Sequence, residues 1–235
     1  VIVIYPKTDI MTQNYHANHN KNGINRMYNV LAGLPKNWGF VLLLTFLALP
    51  QQGFASTNHS VMLVGDSVMT ALSSRYTNAA QNVIGGDLKF QAKVCRKLTT
   101  SGCLHGQPES ALSVLKNNHG VDTVVIMIGH NDDRSERFRQ KIDVLMNEVS
   151  DAHHVFWITM REVSHSYREA NKMIKEQAAQ HTNTHVIDWA EISRNQSSWV
   201  VKDGTHLTAK GAKNMASVIA KELQSLTSNE LPSTH

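Results

Sequence analysis

Four uninterrupted apolar runs dictate the architecture open to this chain: Val61 to Val64, Thr123 to Ile128, Val155 to Thr159 and the shorter His185 to Ile187. A strand with one wet face alternates apolar and polar residues. Runs without alternation belong to strands covered on both faces, as in parallel sheets flanked by helices. Leu88 to Val94 is a weaker, partly alternating candidate strand. Between the runs lie stretches of helical period. Phe138, Ile142, Leu145, Met146 and Val149 share one helix face after Ser135, a candidate cap. Tyr167, Ala170, Ile174 and Ala178 form a second stripe, and Ala212, Met215, Ala216, Ile219 and Leu223 a third with Thr208 as candidate cap. Regular alternation of strand and helix predicts a βαβ-type α/β domain.

The N-terminal part stands outside that pattern. "WGFVLLLTFLALP", Trp38 to Pro50, is short for a membrane span; Lys36 precedes it, and Gly53 and Ala55 give the small-x-small spacing of a cleavage site. The expectation is an export signal over residues 27–55, cleaved after Ala55, with translation starting at Met27 and the mature chain at Ser56. Residues 1–26 then form an upstream, non-structural leader, 56–226 the folded domain and 227–235 a disordered tail. A periplasmic or secreted location follows, with no stable membrane span once the signal is cleaved.

Charge is consistent with such a domain and excludes a class of partner. Lys7, Lys21, Arg26, Lys36 and Asp9 fall in the first 55 residues, so 23 basic and 19 acidic residues become 19 and 18 in the mature chain. No dense Lys/Arg cluster with interleaved aromatics remains, which argues against nucleic acid as a partner. Cys95 and Cys103, an even and closely spaced pair in an exported chain, read as a disulfide. A thiol nucleophile is the competing reading. Metal ligation requires more Cys or His at ligand spacing.

The chemistry-bearing motifs fall where strands end. Gly65-Asp66-Ser67 follows the first run and "GHNDD", from Gly129, follows the second. Ligands in open α/β sheets bind at the carboxyl ends of the strands, so both motifs belong to one edge. "KDGTHLT", Lys202 to Thr208, precedes the last helix, and its loop can reach the same edge. A serine hydroxyl needs a base, normally an imidazole oriented by a carboxylate. His206 and Asp203, three residues apart around Gly204, supply both. Acyl transfer also needs donors for the oxyanion of the tetrahedral intermediate. The Asn131 amide and the Ser67 backbone N–H suit that task. Taken singly, each motif reads equally as a turn: Gly, Asp and Ser are common turn residues, and Asp203 with His206 makes a helix-entry turn.

The three blocks, in this order and spacing, resemble the first, third and fifth blocks of the SGNH hydrolase superfamily, also called GDSL esterases and lipases. The resemblance runs from about Ser60 to Leu223. It implies a three-layer α/β/α sandwich with a mostly parallel, flavodoxin-like sheet, a Ser67, His206, Asp203 triad, and an oxyanion hole of the Ser67 N–H, the Asn131 side chain and one further backbone N–H. The family usually has glycine in its second block, where "AKVCRKL" places Cys95 as the third donor. "VIDWAEIS" and "WVVKDGTHLT" are further similar to exported SGNH proteins related to cell-wall and polysaccharide O-acetyl esterases and transferases.

The expected activity is hydrolysis of a carboxylic, short-acyl or acetyl ester of a small molecule or glycan, through an acyl-enzyme. The alternatives are O-acyl transfer to a cell-wall or exported glycan, and an inactive carbohydrate-binding domain. This chemistry requires no metal or organic cofactor. His130 is expected to form a wall or substrate contact. Trp199 is expected either to line the substrate pocket or to pack half-buried, and Trp157 to lie in the core. His153 with His154, and His181 with His185, read as surface histidines. Arg134, Arg137 and Arg139 read as a solvated helix face.

Overall fold

The computed structural model describes residues 60–103 and 108–230. The predicted leader, export signal and cleavage point, and residues 231–235 of the predicted tail, lie outside them, whereas residues 227–230 of that tail continue the last helix. Five strands, β1 (Val61–Gly65), β2 (Leu88–Ala92), β3 (Thr123–Met127), β4 (His154–Ile158) and β5 (Thr184–Ile187), form one sheet in the order β2-β1-β3-β4-β5. Every pairing is parallel. The apolar runs therefore mark strands to within a residue, and the weak candidate is an edge strand two residues shorter than its sequence signal.

Residues of opposite parity on each strand feed two cores. Met62, Val64, Val124, Ile126, Val155 and Trp157 face one way and pack under α3 (Ala111–Lys116), α4 (Arg137–Glu148) and α5 (His165–Ala178). Leu63, Val125, Met127, Phe156 and Ile158 face the other way. They pack against α1 (Ser67–Thr70), α2 (Ala79–Val83), α6 (Trp189–Ser193) and α7 (Ala209–Glu230). The result is the expected three-layer α/β/α sandwich. Burial on both faces is what removed polar alternation from β1, β3 and β4.

Helix starts refine the sequence reading. Thr208 caps α7 as expected: its Oγ1 accepts the Gly211 N–H at 3.2 Å. Ser135 does not cap α4, which begins at Arg137; its hydroxyl instead donates to Asp133 Oδ2 at 2.9 Å. Gly211 has a packing reason, since a Cβ there would lie 1.9 Å from the Trp199 carbonyl oxygen. Close approach of α7 to Trp199 thus depends on that residue having no side chain. Two of the predicted surface histidines are partly buried in the sheet: His154 on β4 and His185 on β5 bring their rings to 5.7 Å. Burial, followed by the neighbouring His154, lowers the proton affinity of His185, with Glu222 opposing.

Strand order reverses between β1 and β3, so their carboxyl ends open the crevice where such sheets place ligands. The loops beginning at Asp66 and at Gly129 leave the sheet there.

Candidate active site

Ser67 opens the short helix α1 directly after β1. Asp66 turns the chain: fully buried, it accepts the Val68 N–H on Oδ1 at 3.1 Å and so caps the helix. Gly65 permits the turn, because a Cβ at that position would come within 2.5 Å of the Met69 Cβ. The Ser67 N–H sits at the helix N-terminus, and no acceptor takes it among the described residues.

The loop before α7 brings the imidazole. His206 Nε2 lies 2.9 Å from Ser67 Oγ, and His206 Nδ1 lies 2.7 Å from Asp203 Oδ2. A carboxylate only accepts, so Nδ1 carries a proton. Nε2 of the neutral ring is then left to accept from the serine hydroxyl. Asp203 Oδ1 also takes the Thr205 and His206 N–H groups at 2.8 and 2.9 Å, closing the turn on itself. Burial pushes the Asp203 carboxyl up, but the Thr205 N–H and both hydrogen bonds from His206 outweigh it, leaving it below the ordinary carboxylate value. Asp203 stays ionised at neutral pH. Gly204, at φ 74°, supplies the left-handed step of this turn.

A residue that sequence reasoning missed holds the loop in place. Arg161, just beyond β4, donates from Nη1 to the Gly204 carbonyl at 2.9 Å, from Nε to Ser193 and from Nη2 to Arg194. Its only sequence signal is position, three residues after a strand end.

Asn131 and Cys95 come from the two loops flanking Ser67. Asn131 Nδ2 donates one hydrogen to the Arg96 carbonyl at 3.0 Å, which orients the amide and leaves its second N–H without an acceptor among the described residues. Cys95 adopts φ 68°, a conformation glycine takes freely and other L-residues rarely adopt. Its N–H has no acceptor among the described residues. The expected disulfide to Cys103 is present with Cα atoms 5.3 Å apart, and the Cys103 N–H donates to the Cys95 carbonyl at 3.2 Å. Cys103 Sγ rests 3.9 Å from Asn131 Oδ1, so the bridge touches both donor loops.

His130 departs from expectation. Its side chain is 6% exposed and is turned to Asp66: the His130 N–H and Nδ1–H reach Asp66 Oδ2 at 3.2 and 2.9 Å. The ring lines neither of the clefts beside Ser67. Instead of forming a substrate wall, it ties the Asn131 loop to the serine turn. Asp132 extends the brace, accepting the Leu98 N–H and pairing with Lys141 at 3.0 Å. Arg134 is not part of a solvated helix face either. It lies 4.2 Å over the Tyr167 ring and donates to the carbonyls of Gly129, His130 and Asp132. Arg137 and Arg139 do make exposed ion pairs, with Asp133, Glu136 and Glu176.

Trp199 packs on the core, its ring stacked on Trp189 at 5.5 Å, and likewise lines neither cleft. Arg96, buried under the site, is lowered by burial, with Glu109 and Asp66 opposing. Among the described residues, no group of three or more His, Cys, Asp or Glu is arranged to hold a metal ion. No described helix is long and apolar enough to cross a membrane.

Comparison with known proteins agrees with this architecture. No family model matches the chain. In sequence it is similar to "Putative peptidoglycan O-acetyltransferase YrhL" of Bacillus subtilis, 26% identical over 172 residues that cover 73% of this chain. O-acetyltransferase OatA of Staphylococcus aureus is 23% identical over 176 residues, also 73% of this chain. The chain spans about a quarter of the length of these relatives, 25% and 26%.

Among solved structures, the lipase/acylhydrolase of Enterococcus faecalis superposes with a TM-score of 0.58 at 19% identity, covering 72% of this chain and 96% of that one. The family 3 carbohydrate esterase of Clostridium thermocellum gives 0.53 at 16%, covering 72% and 98%. A lipolytic protein of the G-D-S-L family from Veillonella parvula gives 0.53 at 16%, covering 71% and 98%. The fold is that of the SGNH/GDSL hydrolases, and the sequence affinity is to O-acetyltransferases.

Proposed function

We propose that the protein is an exported serine esterase of SGNH type acting on short acyl esters, acetyl above all, carried by a glycan or small alcohol. Ser67 Oγ attacks the ester carbonyl as its proton passes to His206 Nε2. Asp203 holds the ring in the required tautomer and stabilises the imidazolium. The Ser67 N–H, the second Asn131 Nδ2–H and the Cys95 N–H receive the oxyanion. Collapse of the tetrahedral intermediate expels the alcohol, which takes the proton from His206, and leaves an acyl-serine. Water, deprotonated by the same imidazole, then releases the carboxylic acid and restores Ser67.

The observation that carries this reading is the continuous hydrogen-bonded line from Ser67 through His206 to Asp203. Its members come from opposite ends of the domain, and independent turns have no reason to meet in that geometry. Export is supported by the signal-like segment before Ser56 and by the disulfide.

A second reading keeps the acyl-enzyme and replaces water by a glycan hydroxyl. The names of the curated relatives favour it. An inactive binding domain is disfavoured because every side chain the chemistry needs is present.

The test is turnover of a chain-length series of model esters by wild type and Ser67→Ala, with products analysed with and without a sugar acceptor. Hydrolysis predicts free acid in both cases; transfer predicts an acylated sugar at the expense of acid. Wild-type turnover by Ser67→Ala refutes both.

A further inference from the structure

Two clefts adjoin at Thr70, Arg75, Tyr76 and Val94, and one of them reaches Ser67. The proximal one, of about 540 Å³, is lined by Ser67, Thr70, Arg75, Tyr76, Val94 and His206 among others. The distal one, of about 450 Å³, shares Thr70, Arg75, Tyr76 and Val94 and continues to Ser73 and Lys93. Together they make one groove leading away from the serine.

Its lining is unusual in two respects. Tyr76 and Val94, large apolar residues 60% and 52% exposed, stand together on it. Arg75 and Lys93 carry positive charge into it, yet among the described residues neither forms an ion pair and no carboxylate lines either cleft. Elsewhere the exposed arginines commonly find acids, as Arg137, Arg139, Arg168 and Arg194 do. An exposed aromatic face beside hydroxyls fits a sugar ring, which stacks its C–H face while its hydroxyls bond at the rim. Ser73 supplies a rim hydroxyl with no protein partner among the described residues, while the Thr70, Thr77 and Thr208 hydroxyls donate to the Ser67, Ala71 and Ser198 carbonyls. A long acyl chain favours a groove free of charge, whereas Arg75 and Lys93 line this one. Two unpaired cations add a preference for negative charge.

We propose that the groove is a subsite for an anionic saccharide: a sugar ring packs on Tyr76, and Arg75 and Lys93 receive a carboxylate of the same chain. This rests on the reading of Ser67 as the reacting centre, for it makes the groove the seat of the alcohol side of the ester or of the glycan acceptor. Arg75, Tyr76 and Lys93 are then specificity-determining residues.

The experiment uses purified protein carrying Ser67→Ala, so that binding is read without turnover, with hexagalacturonic acid as anionic probe and xylohexaose as neutral control. Calorimetric titration is expected to show binding of the uronate at least tenfold tighter than of xylohexaose, weakening as salt is raised. Adding Arg75→Glu and Lys93→Glu should weaken uronate binding by roughly tenfold per reversed charge. Lys116→Glu, on the opposite layer, should leave it unchanged. Equal affinity for the two probes, no uronate binding at millimolar concentration, or equal losses from Lys116→Glu and the groove reversals would each overturn the inference. So would tighter binding of dodecylphosphocholine than of the uronate, which would assign the groove to a lipid. None of these outcomes touches the role of Ser67, which is tested separately by the esterase activity of Ser67→Ala.

Discussion

Asp66→Asn isolates the joint between the serine turn and the Asn131 loop. The buried carboxylate accepts the Val68 N–H on one oxygen and both the His130 N–H and Nδ1–H on the other. An asparagine of the same shape has one accepting oxygen. Its cheaper orientation keeps that oxygen toward His130 and turns the NH2 toward Val68, orphaning one buried donor at about 1–3 kcal/mol. The bonds that survive lose their charge assistance, and Arg96 loses one of the two carboxylates that offset its burial. A total of roughly 2–4 kcal/mol results, or a fall in Tm of about 5–15 °C for a domain of this size. Thermal unfolding followed by circular dichroism measures it. Turnover of a small ester at a temperature where the variant remains folded should also fall, because the loops carrying Ser67 and Asn131 share this joint. A Tm within 2 °C of wild type, with unchanged turnover, would refute the assignment of Asp66 as their common anchor.

Three further outcomes are expected. Asn131→Ala should lower kcat by about 10² to 10³ with little change in KM, since it removes a donor used in the transition state; steady-state kinetics on a model ester checks this. Cys103→Ser should cost roughly 2–3 kcal/mol in urea unfolding for a loop of this length, and should reduce kcat because Cys95 then loses the bridge that fixes its left-handed backbone. Stability should fall as pH drops below about 6.5, the ordinary histidine value, because the unfolded chain protonates His185 before the folded one does; His185→Gln should flatten that slope in denaturant titrations at stepped pH.

How much of this was legible in the residues follows from the physics of each signal. Double burial erases alternation, so β1, β3 and β4 announced themselves, whereas the edge strand β2 spoke weakly. Long amphipathic helices showed their stripes. The helices of five or six residues, α2, α3 and α6, are too short to display a period and were not read, and α1 showed only as an apolar, helix-like run after Ser67. The meeting of Ser67, Asp203 and His206 was legible because the proposed chemistry requires those residue types on one sheet edge. The braces Asp66, Arg96, Asp132 and Arg161 act through burial and backbone carbonyls, which depend on tertiary neighbours that spacing does not reveal. His130 was misplaced for the same reason: its identity suits a pocket wall, and only the fold brings its ring to a buried carboxylate. Cys95 carries a signal of its own, a non-glycine at a position the family usually gives to glycine, and the structure gives that residue a positive φ.

The claim that Ser67 is an activated nucleophile is tested most directly by a fluorophosphonate, which phosphonylates a serine only where a base takes its proton. Peptide mass spectrometry after labelling is predicted to find the adduct on Ser67 in wild type, with labelling slowed by orders of magnitude in His206→Ala. An unlabelled Ser67 in folded wild-type protein, or equal labelling rates in the two proteins, would contradict it.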